Sequence, residues 1–557
     1  MKVAGQELGE DRAALALLCL ALVASAALLL SFSAGLTFFQ DTWDFLMNRQ
    51  GFAADAFLRP HNEHIVVIPV AIEQLLVQFF GMSSPTPEFV VLTASLLATA
   101  VLVFVYVRRR LGPWPALIAA VLLLFIGPAW QVLLWPFEIG FVGSLLFGIA
   151  MLLALDRDGP RSDPAACLFL AISIGFSSLG LAFAVGAGVD LLQKRRDRGL
   201  RRVYVAVAPL LLYAAWWLGW GHEAESHLTL DNVLSSPLYV VEGLAGSIGS
   251  LLGLSTTSGA AIHPPRWGYV LLAAFAAQLV YRQVRGRSLP AGLWPVAGST
   301  AAFWFLAGFS YIPGREAYSS RYIYVGAAFI LLLAANLLNG VRLDRRALLV
   351  GGVIALAAVA SNLDPLREGR DWLKGQTVLT RADLAAIEIA QRTVDPSFYL
   401  APEIAGTPTL IDVRADKYLA AVREHGSPAY TPAELARAPE AGRLQADIVL
   451  ANALPVTTEV RNGATARAAG GGCTTISGDS GGGGAPLPLR PGRTEIGLAT
   501  GPPGTIRLRR FATGEYPLET EGVPGGSVTL LDIVADGLER PWYVQVQAAQ
   551  TATVCRS

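Results

Sequence analysis

Residues 13–36 read AALALLCLALVASAALLLSFSAGL, an unbroken stretch with no charged side chain. At about 1.5 Å per helical residue it is long enough to cross a hydrocarbon core of ~30 Å. The apolar part of a secretory signal is only about 7–15 residues, so this segment reads as an uncleaved first membrane helix. Outward from it, apolar runs recur up to about Ser361, separated by short charged or Gly/Pro-rich links. Beyond Asn362 the polarity is that of a soluble domain. Of the 557 residues, 53% are hydrophobic and only 15% charged, with a mean hydropathy of +0.47. Soluble domains carry about 25% charged residues, so the polar surface a water-exposed globule needs is missing here. The formal net charge is zero, which gives no footing to nucleic acid as a partner.

Basic residues favour the cytoplasmic side and orient the spans. Four blocks serve: Arg108-Arg109-Arg110; Lys194-Arg195-Arg196 with Arg198, Arg201 and Arg202; Arg282 with Arg285 and Arg287; and Arg342 with Arg345 and Arg346. With all four inside, the crossings are 13–36, 86–107, 114–134, 138–155, two short helices within 165–193, then 203–220, 267–281, 291–310, 322–338 and 347–361. The stretch 165–193 is too short for two spans of about 20 residues. Its Ser177-Ser178-Leu179-Gly180 break predicts a hairpin of abnormally short helices, a form tolerated where neighbours or a cavity satisfy the helix ends. The expected fold class is a polytopic α-helical membrane protein of about eleven helices over 1–361, N-terminus cytoplasmic, with residues 239–254 as an interfacial helix. A helical connector (362–440) and a β-sandwich-like domain (441–557) follow outside the cytoplasm.

The outward loops collect polar residues. After the first helix come Asp41 and Asp44, then Arg59-Pro60-His61-Asn62-Glu63-His64. In a helical turn the i, i+3 spacing puts both aspartates on one face; for either alone, capping and solvation explain it equally well. His61, Glu63 and His64 form a partial metal set without a third strong ligand, so hydrogen bonding to substrate hydroxyls is expected and no metal or other cofactor is. Glu138 opens an apolar helix after Trp135-Pro136-Phe137, where a helix N-terminus favours it but an interior face would not. Ser177 and Ser178 offer hydroxyls at the hairpin tip. Arg315 and Arg321, with Tyr318 and Tyr322, lie outside against the charge trend; Arg is the preferred fork for phosphate, whereas belt anchoring explains the tyrosines better than the arginines. Outward carboxylates and arginines at headgroup depth fit chemistry on a lipid-phosphate-linked substrate, a carboxylate deprotonating an acceptor and arginines holding the phosphate.

At Asp41-x-x-Asp44, Arg59 to His64, Trp135-Pro136-Phe137-Glu138-Ile139-Gly140, Ser320-Arg321-Tyr322 and the hairpin at 165–193, the chain resembles the GT-C superfamily of integral membrane glycosyltransferases, particularly actinobacterial-type members. The resemblance covers roughly 1–361 and is architectural more than motif-tight. It implies transfer of a sugar from a polyprenyl-phosphate donor to a glycan or glycolipid acceptor of the cell envelope. It also implies a catalytic acid residue in the first outer loop, which maps onto Asp41, with Asp44 in support. The Asp-Glu pair of protein mannosyltransferases is missing, so their donor and acceptor class is not carried over. The alternatives are a transporter or flippase of lipid-linked intermediates and a non-catalytic polysaccharide-binding envelope protein. One short hairpin without a matching partner argues against the internal repeats of a transporter.

In the soluble part, Thr380 and Asp383 are plausible capping residues of a helix to Arg392, and 505–509, 528–534 and 542–546 alternate as strands. Trp542 suits either a carbohydrate-binding surface or a core. Cys473 and Cys555 read as one disulfide of an oxidising compartment, and Cys19 and Cys167 as packing residues of apolar helices. Gly470 to Gly484 is a Gly-rich loop with no Gly-Lys-Ser/Thr after it, so it is not a phosphate loop.

Overall fold

The computed structural model describes residues 2–157, 159, 161–193, 200–258, 261–285, 289–341, 343–401, 409–454, 457–463, 472–476, 486–536, 538–548 and 551–556. Lys194 to Arg198, Arg287, Arg342 and most of the Gly-rich run 470–484 lie outside the described residues. The chain divides into two compact units: residues 1–35, 49–76 and 86–373, and residues 36–48, 77–85 and 374–557.

The first unit is helical. Among the described residues five helices are long and apolar enough to cross a membrane: Gly9–Ser33, Thr86–Leu111, Pro136–Leu155, Ser320–Leu337 and Arg345–Ala390. A sixth joins Pro113–Leu124 to Gly127–Leu134 through a 48° bend. Ser162–Phe176, Gly180–Gln193, Tyr204–Gly219 and Leu293–Phe309 are apolar but shorter. Leu15, Leu17, Leu20, Val23, Leu211, Leu212, Leu349 and Val353 remain exposed on these helices, as lipid-facing side chains are, because hydrocarbon gives no reason to hide them. The chain is a membrane protein. Five or six spans by length is a coarser result than the eleven crossings expected, since several helices are too short to qualify alone.

The hairpin breaks where its Ser-Ser-Leu-Gly sequence places the break, between helices Ser162–Phe176 and Gly180–Gln193. Ser173 Oγ donates to the Ser144 carbonyl at 2.7 Å, fastening the first arm to helix Ile139–Leu155. Residues 239–254, expected as a separate interfacial helix, are largely the second half of a 22-residue helix, Leu230–Leu251. It packs against helices Leu293–Phe309 and Ser320–Leu337. A Cβ at Gly243 would stand 2.2 Å from the Trp304 ring, so glycine is what lets these helices close up. The basic blocks do more than orient helices. Arg202 is 4% exposed and donates to both carboxylate oxygens of Asp163 at 2.8 and 2.6 Å, while Arg110 bonds Asp156 at 2.7 Å. Cys19 is exposed rather than packed, its helix presenting that face outward.

The second unit is built on one apolar cluster that takes in Phe38, Trp43, Met82, Leu384, Tyr418, Leu450, Ile496, Leu508, Leu531, Trp542 and Val554. Residues 36–48 therefore fold with the C-terminal part: Trp43 is fully buried against Tyr418, ring centroids 6.2 Å apart, and the Gln40 amide donates to the Thr409 carbonyl at 3.0 Å. Two antiparallel sheets contribute to the cluster. One runs Leu487–Leu489, Trp542–Gln547, Gly504–Arg509, Leu518–Val523; the other runs Thr457–Asn462, Ser527–Ile533, Gly492–Leu498, Ala552–Arg556, Cys473–Ile476. Trp542 is core, 3% exposed. Cys473 and Cys555 stand opposite each other in register and are disulfide-bonded. Thr380 and Asp383 do not cap a helix. Helix Arg345–Ala390 runs through both; the Thr380 hydroxyl donates back to the Gln376 carbonyl at 3.0 Å, and the buried Asp383 accepts from Gln445 at 2.8 Å. A long helix can carry Thr when its hydroxyl returns to the preceding turn.

Candidate functional site

The loop Arg59 to His64 is fixed from several sides. Arg49, 1% exposed, donates to the carbonyls of Arg59 and Pro60 at 2.6 and 2.8 Å. Trp216 Nε1 donates to the Leu58 carbonyl at 2.7 Å. His61 and His64 exchange both backbone hydrogen bonds, at 3.0 and 2.9 Å, closing a two-residue turn with Asn62 at φ +50°. Asn tolerates that left-handed region better than most residues. The turn presents Glu63 to one side, and the hairpin tip holds its backbone: Ser178 Oγ donates to the Glu63 carbonyl at 3.2 Å and accepts from the Ile65 amide at 3.3 Å.

Glu63 meets an arginine and a histidine. Arg315 Nη1 stands 3.2 Å from its Oε1, and His227 Nε2 stands 3.5 Å from the same oxygen. Arg315 comes from the loop before helix Ser320–Leu337, and the Tyr239 hydroxyl donates to its carbonyl at 2.8 Å. His227 comes from the loop between helices Tyr204–Gly219 and Leu230–Leu251. Asn232 clamps these strands of chain together: its Nδ2 lies 2.9, 3.2 and 3.0 Å from the carbonyls of His227, Phe309 and Tyr311.

These groups line a cavity of about 330 Å³. Its lining includes the polar residues Glu63, His64, Ser178, His227, Arg315 and Tyr322 and the apolar residues Leu181, Trp217, Phe303, Leu306 and Phe309. His64 Nδ1 is buried without a hydrogen-bond partner. Burial lowers the His64 pKa to about 4; the Glu63 carboxylate opposes this, and Arg315, His61 and Arg321 reinforce it. At neutral pH the ring is therefore uncharged, one nitrogen able to accept and the other to donate.

The structure thus brings together Glu63, His64, Ser178, Arg315 and Tyr322 from the sequence-predicted set. His61 backs His64 and meets Phe137 edge-on, centroids 5.2 Å apart. Arg321 and Glu138 do not line the cavity, though both act electrostatically on Tyr322; Glu138 is 5% exposed, inside the turn Pro136–Glu138. Tyr318 packs over Gly246 instead, and burial raises its pKa. Ser177 turns inward, its Oγ accepting from the Leu179 amide at 3.3 Å. Asp41 and Asp44 belong to the second unit. There Asp44 is 6% exposed, in helix Thr42–Asn48, with Asn48 Nδ2 donating to it at 3.3 Å. Sequence reasoning missed His227 and Asn232. The run His222-Glu223-Ala224-Glu225-Ser226-His227 between two apolar segments repeats the His/Glu density that marked residues 61–64, and was the available signal. Among the described residues no three of His, Cys, Asp and Glu converge as a metal-ligand group.

No family model matches the chain, and no curated protein does. Among solved structures it is similar to a crystal structure of ArnT from Cupriavidus metallidurans bound to undecaprenyl phosphate, at 13% identity over 73% of this chain and 88% of that one, with a TM-score of 0.44.

Proposed function

We propose that the chain is a GT-C-type membrane glycosyltransferase, moving a sugar from a polyprenyl-phosphate donor to an extracytoplasmic cell-envelope acceptor. The observation that carries this reading is the mixed lining of the cavity: an arginine, histidines and hydroxyls together with leucine and aromatic side chains. A lipid phosphate combines the same two chemistries. Arg315 neutralises the phosphate as it leaves, and His61, His64 and Glu138 serve sugar or acceptor hydroxyls. The acceptor oxygen gives its proton to a carboxylate and bonds to the anomeric carbon as the bond to the phosphate oxygen breaks. Asp41 is our candidate for that base, with Asp44 in support. The oxygens of Glu63 are already engaged by Arg315 and His227, which leaves it less free to meet an acceptor. Arg321, Tyr318, Tyr322, Ser177 and Ser178 complete the donor-side set. Eleven crossings, a cytoplasmic N-terminus and an extracytoplasmic sandwich domain complete the topology we favour.

Full-length protein in lipid nanodiscs, given radiolabelled polyprenyl-phosphate sugar and envelope glycan, should transfer sugar. Asp41→Asn should abolish transfer with donor binding retained, and Arg315→Ala should weaken donor binding. Undiminished transfer by both Asp41→Asn and Asp44→Asn removes the proposed base. Movement of donor across vesicles without any transfer selects the flippase reading instead.

A further inference from the structure

The ion cluster at the cavity is complete before any ligand enters. Arg315 and Glu63 keep only 18% and 17% of their side-chain surface, and His227 keeps 22%. A half-buried arginine beside apolar walls is costly without an anion, and here the anion is Glu63. Its carboxylate sits within reach of the same arginine and histidine nitrogens that a phosphate ester would seek. The backbones on both sides are pinned, at Glu63 by Ser178 and at Arg315 by Tyr239. The carboxylate itself hangs on rotatable bonds. Ligand arrival therefore costs a rotation of one side chain rather than a movement of either loop.

We infer that Glu63 is a resident anion for Arg315 and His227, displaced from them when a phosphate ester occupies the cavity. This rests on the donor-phosphate reading for the identity of the ligand, and adds to it a built-in competitor and a second nitrogen contact, His227. The competitor sets affinity. While it is in place the arginine is satisfied and the cavity does not hold stray anions strongly; a ligand with apolar chains gains enough from the walls to displace it. The exchange forms and breaks no covalent bond. Glu63 turns toward whichever donors the cavity then offers, the neutral His64 ring among them.

The test is binding by the full-length protein in nanodiscs, using a short-chain polyprenyl phosphate in one arm and inorganic phosphate in the other. Glu63→Gln keeps the side-chain volume and removes the competing charge. It should tighten short-chain polyprenyl phosphate binding roughly threefold to tenfold, ~1.4 kcal/mol being about tenfold, and should make inorganic phosphate binding measurable. Arg315→Gln should lose binding in both backgrounds, and His227→Gln should reverse part of the gain in the Glu63→Gln background. Thermal unfolding of each variant, with Glu63→Asp as a second competitor-retaining form, separates these effects from misfolding. Unchanged or weaker binding by a folded Glu63→Gln protein overturns the inference. If wild type transfers no sugar yet the variants bind phosphate in this order, the proposed function fails and the resident anion stands. If wild type transfers sugar and Glu63→Gln gains nothing, the reverse holds.

Discussion

The carboxylate network of the second unit and the cavity of the first hold their polar groups in opposite ways. In that network each carboxylate accepts several hydrogen bonds. Asp447, fully buried, accepts the amides of Arg510, Phe511 and Ala512 at 2.8 to 2.9 Å. Glu440 accepts from the Thr513 and Gly514 amides at 2.6 and 2.7 Å and from the Thr513 hydroxyl at 2.9 Å. Arg510 forms an ion pair with Asp536 that is 3% and 2% exposed and also donates to the Arg540 carbonyl at 3.1 Å. In the cavity of the first unit, Glu63 faces Arg315 and His227 at 3.2 and 3.5 Å, and His64 Nδ1 has no partner. Saturated networks fix a shape, because every member loses a bond if the shape changes. Loose ones beside a cavity keep bonding capacity for something that arrives.

Breaking the saturated side should cost the most stability. Asp447→Ala leaves three buried amides without an acceptor, and unsatisfied buried groups cost about 1–3 kcal/mol each. We expect a loss of roughly 3–5 kcal/mol for the full chain, read as a fall in the unfolding midpoint. Next comes the disulfide. Cys473→Ser opens a link across 82 residues of separation and should cost about 2–5 kcal/mol, measured against wild type under non-reducing conditions. If these variants unfold with the wild-type midpoint, saturation is no guide to what holds the second unit together.

On the cavity side the effect should fall on binding more than on folding. Asn232→Ala releases the loops that carry His227 and precede Arg315, removing hydrogen bonds worth about 0.5–1.5 kcal/mol each. Its expected signature is a drop of a few degrees at most in the unfolding midpoint, together with a loss of affinity for short-chain polyprenyl phosphate of about tenfold. A large midpoint shift with unchanged affinity would make Asn232 a structural residue of the bundle only.

Much of this contrast was legible in the sequence, but unevenly. Apolar length and the Ser-Ser-Leu-Gly break at 177–180 located helices and hairpin, because both signals are local. The strands near 505, 528 and 542 alternated visibly. What could not be read was long-range assignment. Nothing in residues 36–48 says that Trp43 packs on Tyr418 and takes Asp41 and Asp44 into the second unit. Trp542 was ambiguous for the same reason: burial is a property of neighbours far along the chain. Glu63 and Arg315 were both singled out, yet for separate roles, since 252 residues separate them and no spacing rule reaches that far. His227 lies in a loop between two apolar segments, where no local spacing points to Glu63.

One experiment tests both regions together, through the dependence of stability on pH. His64 has its folded pKa at about 4, against about 6.5 in an unfolded chain. Between those values the unfolded chain binds a proton that the folded chain refuses, so stability is full above pH 6.5 and falls as pH drops toward 4. Glu440 covers the next window. Burial opposes its charge, but the amides of Gly514 and Thr513, the Thr513 hydroxyl and Arg443 outweigh burial and hold its carboxyl at about 2. Its contribution is present above about pH 4.3 and is lost as pH falls toward 2. His64→Gln should therefore flatten the midpoint between pH 6.5 and 4 and leave the lower window alone. Glu440→Gln should do the opposite. If His64→Gln leaves the slope above pH 4 unchanged, the histidine takes up its proton as readily in the folded protein as in the unfolded chain, and the fold does not hold its ring neutral below pH 6.5.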